Sequence, residues 1–207
     1  PSKKVVRFPA WVDFEIFSNV KPLRNNEKNF KILFIGSVTD RKKPHLIVEA
    51  MNNFNSKDIK LYIVGPTPNE NYLSQLKKLV QEYDLADQVS FTGSIDRKSV
   101  MDHYADTNLM ILPSVSEGLA RVIFESQVTA CPVLVTDAPG MGDIVIDGQT
   151  GYIFESDNLE SLTSKIQEIK NNYQDAIHVG NNAKNFILSN YSADNFKFSF
   201  KKLFDAV

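Results

Sequence analysis

Six short apolar runs punctuate the chain, at residues 30–35, 59–64, 88–92, 108–112, 132–136 and 151–154. Most are β-branched or apolar throughout and flanked by Gly or Pro, as strands buried on both faces are. Between them, apolar positions recur every three or four residues, which predicts helices at about 45–55, 69–83, 98–105 and 119–129. A short helix is expected near 142–146, and two longer ones over 159–171 and 173–189. Strands that alternate with helices across short connections imply βαβ units and a mostly parallel sheet. The expected fold is α/β, a Rossmann-like doubly wound sheet occupying residues 30–190. Residues 1–29 read as a leading segment and loop, and 191–207 as a terminal helix with Ser192 as its N-cap. Phe196, Phe200, Leu203 and Phe204 give that helix an apolar stripe. The stripe either packs on this domain or docks partly on another.

Chemistry gathers after the fourth run. Asn108-Leu-Met-Ile-Leu112 stops at Pro113, and the polar loop Ser114-Val-Ser116 leads to Glu117-Gly118. A helical pattern then opens, with Leu119, Val122, Ile123 and Ser126 spaced to face a core, and Glu125 follows Glu117 by eight positions. In a doubly wound sheet, ligands bind in the crevice at the carboxyl ends of the strands. A helix that starts there points free N–H groups and the positive end of its dipole into the crevice. Gly118 lets the main chain approach a ligand closely. The run therefore suits a phosphate that carries polyhydroxylated groups. Taken singly, each acid also reads as a solvated or capping residue.

After the first run comes Gly36-Ser-Val-Thr-Asp-Arg-Lys-Lys-Pro44, which sets Arg41, Lys42 and Lys43 beside the same crevice. Arg offers a pyrophosphate bidentate contacts and Lys a point charge; a solvated loop is the competing reading. Neither Gly-x4-Gly-Lys-Ser/Thr nor Gly-x-Gly-x-x-Gly occurs here, which weighs against kinase-like and dehydrogenase chemistry.

Composition narrows the field further. The 207 residues are 43% hydrophobic, enough for a substantial core, and the net charge of -2 lacks the basic footprint of a nucleic-acid binder. Cys131 is the single cysteine, so no intrachain disulfide forms and a reducing compartment fits. It reads as a buried packing residue. His45, His103 and His178 fall in separate predicted helices without ligand spacing, so they are expected at the surface or at helix ends, and no metal site is expected. No run approaches the ~18 apolar residues of a membrane span. The chain opens on Pro1-Ser-Lys-Lys-Val-Val-Arg-Phe-Pro9 without an initiator Met, so it is expected to be part of a longer protein.

The run from Pro113 to Glu125 resembles the Glu-x7-Glu signature of the retaining glycosyltransferases of family 4. Other segments follow in the order of that family. Gly36–Pro44 resembles Gly-Arg-Leu-x-x-x-Lys-Gly, with Lys42 on the family Lys but Ser37 on the family Arg and Lys43 on the second Gly. Either Arg41 or Lys43 then supplies the second charge from a different direction, or the diphosphate is bound more weakly than is usual in the family. The strand ends at Gly65 and Gly93 resemble the family's Val-Gly and Val-x-Phe-x-Gly. Thr136–Gly151 resembles Thr-Asp-x-Gly-Gly-x-x-Glu-Ile-Val-x-Asp-Gly-x-Thr-Gly, with Pro139 at the first glycine and Asp143 for Glu. Phe8–Phe17 resembles the family's interdomain segment, with Ala10-Trp11 in place of Asn-Gly.

The resemblance implies the donor-binding half of a GT-B enzyme, with residues 1–29 carrying the interdomain segment. Glu117 would hold the donor sugar, and Lys42, helped by Arg41 in the turn after Gly36, the diphosphate. Glu125 would hold the ribose, and the backbone of Gly93, Ser94 and Ile95 the nucleobase. The amides of Gly118, Leu119, Ala120 and Arg121 would face the phosphates. No cofactor is implied beyond the nucleotide diphosphate sugar, and no metal. An acceptor glycan or glycolipid would bind through an N-terminal domain, in a cytoplasmic enzyme with peripheral membrane association left open. The fragment alone would be inactive. A GT-B nucleotide-sugar epimerase and a noncatalytic nucleotide-sugar-binding domain stand as alternatives.

Overall fold

The computed structural model describes residues 15–24, 29–54, 56–142 and 144–205. Six strands form one sheet: β1 (Phe30–Ile35), β2 (Ile59–Val64), β3 (Val89–Gly93), β4 (Leu109–Leu112), β5 (Val133–Thr136) and β6 (Tyr152–Phe154). Their order is β3-β2-β1-β4-β5-β6, and every pairing is parallel. Each predicted strand lies within one residue of its observed bounds. Burial explains why the pattern was so clear. All residues of β4 and β5 are fully buried, so these inner strands are apolar on both faces, Thr136 excepted. At the sheet edge, β3 alternates and exposes Ser90 and Thr92.

The helices are α1 (Glu15–Ser18), α2 (Pro44–Asn52), α3 (Glu70–Glu82), α4 (Arg97–Asp106), α5 (Arg121–Val128), α6 (Leu159–Asn171), α7 (Tyr173–Asn190) and α8 (Ala193–Asp205). Helix α2 packs against α3 and α6, and α5 against α1 and α7. Asn69, Asp96 and Asn158 cap α3, α4 and α6, each side chain accepting from an N–H in the first turn. Helix α2 starts differently, with Pro44 in its first turn after Lys43 in the left-handed conformation (φ 48).

Two expectations change. Helix α5 begins at Arg121, two residues later than the pattern suggested, and Leu119 is 39% exposed instead of facing the core. Ala120, buried and at ψ 78, occupies the inward position before the helix can start. Among the described residues near 142–146 no helix forms. The N–H groups of Ile144 and Val145 both donate to Met141 O, a single turn, and Asp143 lies outside the described residues. In α8, Ser192 Oγ does accept from the Asn195 N–H (3.3 Å), but Phe198 and Phe200 are 60% and 48% exposed. The side chains of Leu203 and Phe204 lie outside the described residues, as does the Ala10-Trp11 segment.

Arg24, which opens a polar stretch in the sequence, acts as a staple. Its guanidinium donates to Thr107 O (2.7 Å), Thr129 O (2.8 Å), Tyr104 O (3.1 Å) and Ala130 O (3.1 Å). These carbonyls lie at the C-terminal ends of α4 and α5, where a cation is favoured. One side chain thereby fastens the segment before β1 to two helices.

Strands β1 and β4 are neighbours in the sheet but not in sequence. The chain runs outward from β1 to β3 and returns on the other side, so the loops after β1 and β4 diverge and leave a crevice at their carboxyl ends.

Candidate active site

Two loops line this crevice, 36–43 after β1 and 113–120 after β4. Backbone bonds hold them closely. Gly36 N–H donates to Val64 O and Gly65 N–H to Gly93 O, each at 2.9 Å. A Cβ on Gly65 would lie 2.1 Å from Gly36 O, so no other residue fits. The first loop then winds through a 3-10 turn, Asp40–Lys42, and Arg41 O accepts from the Val115 N–H at 3.2 Å. Thr136 Oγ1 at the end of β5 donates to Ser114 O (2.7 Å), and the Glu117 N–H donates to Pro139 O (3.3 Å). A Cβ on Gly140 (φ +94) would lie 2.0 Å from Glu117 O. Glycine is therefore required at 140, whereas Pro139 is accommodated beside it.

These contacts set the Glu117 carboxylate in place. Its Oε1 accepts from Ser114 Oγ (2.7 Å) and lies 3.0 Å from Lys42 Nζ and 3.4 Å from Arg41 Nη1. The Glu117 side chain is 8% exposed and that of Lys42 12%, so neither of these two is a solvated loop residue. Arg41, half exposed, also donates to Ser116 O at 2.5 Å. The recorded contacts fall on Oε1, leaving Oε2 without a partner among the described residues. Lys43 goes elsewhere. The left-handed backbone at this residue accompanies an ion pair with Asp157, before α6. Of the three consecutive basic residues, two converge on Glu117, and Arg41 rather than Lys43 stands beside Lys42.

The start of α5 adjoins this cluster. The N–H groups of Gly118, Leu119 and Ala120 have no partner among the described residues, and a Cβ on Gly118 would meet nothing within 4 Å. The Arg121 N–H donates to Leu119 O (3.0 Å). Glu125, one turn further, is half-buried and meets another element: Tyr104 OH on α4 lies 3.2 Å from its Oε2. Burial pushes the Glu125 carboxyl above its ordinary pKa, opposed by the Tyr104 hydrogen bond and then by the charges of Arg121 and Arg97. The two acids of the run thus sit in different surroundings. Gly93, Ser94 and Ile95 lie on the same carboxyl edge at the end of β3, with Ser94 exposed and Ile95 half-buried, and among the described residues no hydrogen bond or ion pair joins them to the Glu117 cluster.

Sequence reasoning missed Ser114 and Tyr104. Ser114 carries a local signal, since it stands three residues before Glu117. Tyr104 carries none, because its partner is 21 residues away. The histidines lie at helix ends or at the surface: His45 in the first turn of α2, His103 in the last turn of α4, and His178 in α7. His45 is half-buried, with Nδ1 2.7 Å from Tyr72 OH, and burial lowers its pKa. His103 packs against the Tyr62 ring at 5.4 Å, whereas His178 is exposed. Cys131 is buried, and its thiol is pushed up by that burial, as a packing residue's would be. Among the described residues, no three His, Cys, Asp or Glu side chains gather in a way that could hold a metal ion, and no helix is long and apolar enough to cross a membrane.

Sheet order and crevice define the class: a doubly wound, Rossmann-like α/β domain with its candidate site at the strand switch. Residues 15–186 match the model of the family Glycosyl transferases group 1, and the chain belongs to that family. It is 25% identical over 175 residues to the capsular polysaccharide biosynthesis glycosyltransferase CapM of Staphylococcus aureus, covering 80% of this chain and 43% of CapM. The chain spans about half the length of the curated relatives it matches. Among solved structures it resembles Anabaena Alr3699/HepE in complex with UDP and glucose, with a TM-score of 0.80 at 18% identity over 88% of this chain and 50% of that one. It also resembles the C-terminal domain of the glycosyl transferase group 1 protein LpcC from Francisella tularensis. There the TM-score is 0.74 at 18% identity, over 90% of this chain and 96% of that domain. At such identities the likeness shows the fold.

Proposed function

We propose that this chain is the donor-binding half of a retaining GT-B glycosyltransferase, which moves a sugar from a nucleotide diphosphate sugar to an acceptor hydroxyl. The observation that carries this reading is the convergence of Lys42, Arg41 and Glu117 on the switch-point crevice, beside the start of α5. In the reaction, the acceptor oxygen replaces the phosphate oxygen on the anomeric carbon, and the nucleotide diphosphate leaves. Negative charge grows on that leaving group. Lys42, Arg41 and the N–H groups of Gly118, Leu119 and Ala120 are the groups positioned to stabilise it. Glu117 Oε2, without a partner among the described residues, would accept from hydroxyls of the donor sugar, Glu125 from those of the ribose, and the main chain at Gly93–Ile95 would meet the base. Kinship with a capsular polysaccharide enzyme supports a place in surface polysaccharide or glycoconjugate synthesis. The acceptor would bind to an N-terminal domain.

Calorimetric titration of the chain with UDP, GDP and their sugars tests the reading. The chain should bind a nucleotide diphosphate and fail to turn over sugar transfer without the rest of the enzyme. Failure to bind any of the four classes, or multiple-turnover transfer by these 207 residues alone, would refute it. Conversion of a nucleotide-sugar to its epimer without acceptor would favour an epimerase instead.

A further inference from the structure

Tyr104 lies in α4, is fully buried, and belongs to none of the segments that suggest donor binding. Its ring meets that of Phe17 edge-on at 5.8 Å, and Arg97 stands 5.6 Å from the other ring. Packing therefore fixes where the phenol points. Its hydroxyl reaches α5, 3.2 Å from Glu125 Oε2 and 3.2 Å from Val122 O. One proton serves two acceptors, and an ionised carboxylate is the stronger of them. With Glu125 charged, the hydroxyl donates to Oε2. Oε1 has no partner among the described residues, and the side chain is only partly buried.

Resting on the ribose role given to Glu125 above, we propose that Tyr104 is a positioning residue for the nucleotide: it holds one carboxylate oxygen of Glu125 so that the other is presented to the ribose hydroxyls. A glutamate on an exposed helix face would sample several rotamers and lose entropy on binding. A buried phenol held by Phe17 removes part of that freedom beforehand. It also favours the charged form, the better acceptor, against the effect of burial. Among the described residues the groups acting on that carboxyl are Tyr104 and Arg97 from α4 and Arg121 from its own helix.

Tyr104→Phe keeps the ring and removes only the hydroxyl. Affinities for UDP, 2′,3′-dideoxy-UDP and inorganic pyrophosphate would be measured for wild type, Tyr104→Phe, Glu125→Gln and the double variant. Wild type should prefer UDP over the dideoxy analogue. Tyr104→Phe should bind UDP about tenfold more weakly, the scale of one hydrogen bond to a charged group. It should discriminate less between the two nucleotides, and bind pyrophosphate as before. In the Glu125→Gln background it should add nothing. Carbon-detected NMR should show the Glu125 carboxyl titrating higher in Tyr104→Phe. Replacing Tyr104 with 3-fluorotyrosine, a stronger donor, should shift the titration the other way with the fold intact. Unchanged discrimination in Tyr104→Phe, or an equal loss in the Glu125→Gln background, would overturn the positioning role alone. A wild type that binds UDP and its dideoxy analogue alike would refute the ribose reading together with it.

Discussion

Lys42 Nζ lies 3.0 Å from Glu117 Oε1, with both side chains largely shielded from water. The cation assigned to the donor diphosphate is thus already neutralised by the acid assigned to the donor sugar. A phosphate that reaches Lys42 must compete with this carboxylate. The same displacement would release the oxygen that Lys42 and Arg41 hold.

Glu117→Gln should therefore bind UDP more tightly than wild type, because an amide competes less for the two cations. A gain of ~1 kcal/mol, about fivefold, is the scale of a released ion pair. In the intact enzyme the same substitution should abolish transfer, since the amide is a poorer acceptor for sugar hydroxyls. Calorimetry and a transfer assay separate the two effects. UDP affinity that falls in Glu117→Gln would show that the pair helps to build the phosphate site instead of masking it.

The three basic residues of the first loop should not behave alike. Lys42→Ala is expected to weaken UDP by about 1.5–3 kcal/mol, the range for hydrogen bonds to charged groups. Arg41→Ala should also weaken it, by less, because the guanidinium is half exposed. Lys43→Ala should leave UDP affinity unchanged, since Lys43 is paired with Asp157 outside the cluster. A titration in which Lys43→Ala costs as much as Arg41→Ala would mean that the ion pair breaks to serve the ligand.

Why this division escaped the sequence is plain from the backbone. Composition and spacing show that three cations follow Gly36, but not that residue 43 takes a left-handed φ and leaves the group. The strands were legible because β4 and β5 are buried on both faces and their sequence must be apolar throughout. The start of α5 was not, since Leu119 continues the helical period while its backbone does not. Contacts made at long range left no local trace. Arg24 meets carbonyls about 80 to 106 residues away, and Tyr104 meets an acid on another helix.

Arg24→Met should destabilise the chain by roughly 2–4 kcal/mol, since it removes every hydrogen bond from the guanidinium to the ends of α4 and α5. Arg24→Lys should recover only part of this, because an ammonium cannot span the planar fork. Urea unfolding of the two variants provides the test. Equal midpoints for Lys and wild type would reduce the staple to a simple charge.

Glu125 combines a proposed function with a cost in stability. Burial raises its carboxyl pKa in the folded chain, so the native state holds its proton to higher pH than the unfolded state does. The stability that the protonated form provides is present below the ordinary carboxylate pKa and is lost as pH rises through the raised folded value. At neutral pH the ionised group is therefore a net burden on the ligand-free fold. Glu125→Gln, close in shape and always neutral, should raise Tm at neutral pH, by about 2–4 °C for each kcal/mol relieved. The gain should shrink towards zero as the pH falls below the ordinary glutamate range, where wild type is neutral as well. The same variant should bind UDP more weakly by about 1.5–3 kcal/mol. Thermal melts across pH, with and without UDP, read both effects in one experiment. UDP should stabilise wild type more than the variant, narrowing or reversing the difference in Tm. If Glu125→Gln melts lower than wild type at neutral pH without ligand, Tyr104, Arg121 and Arg97 outweigh desolvation, and the carboxylate stabilises the fold it was inferred to burden.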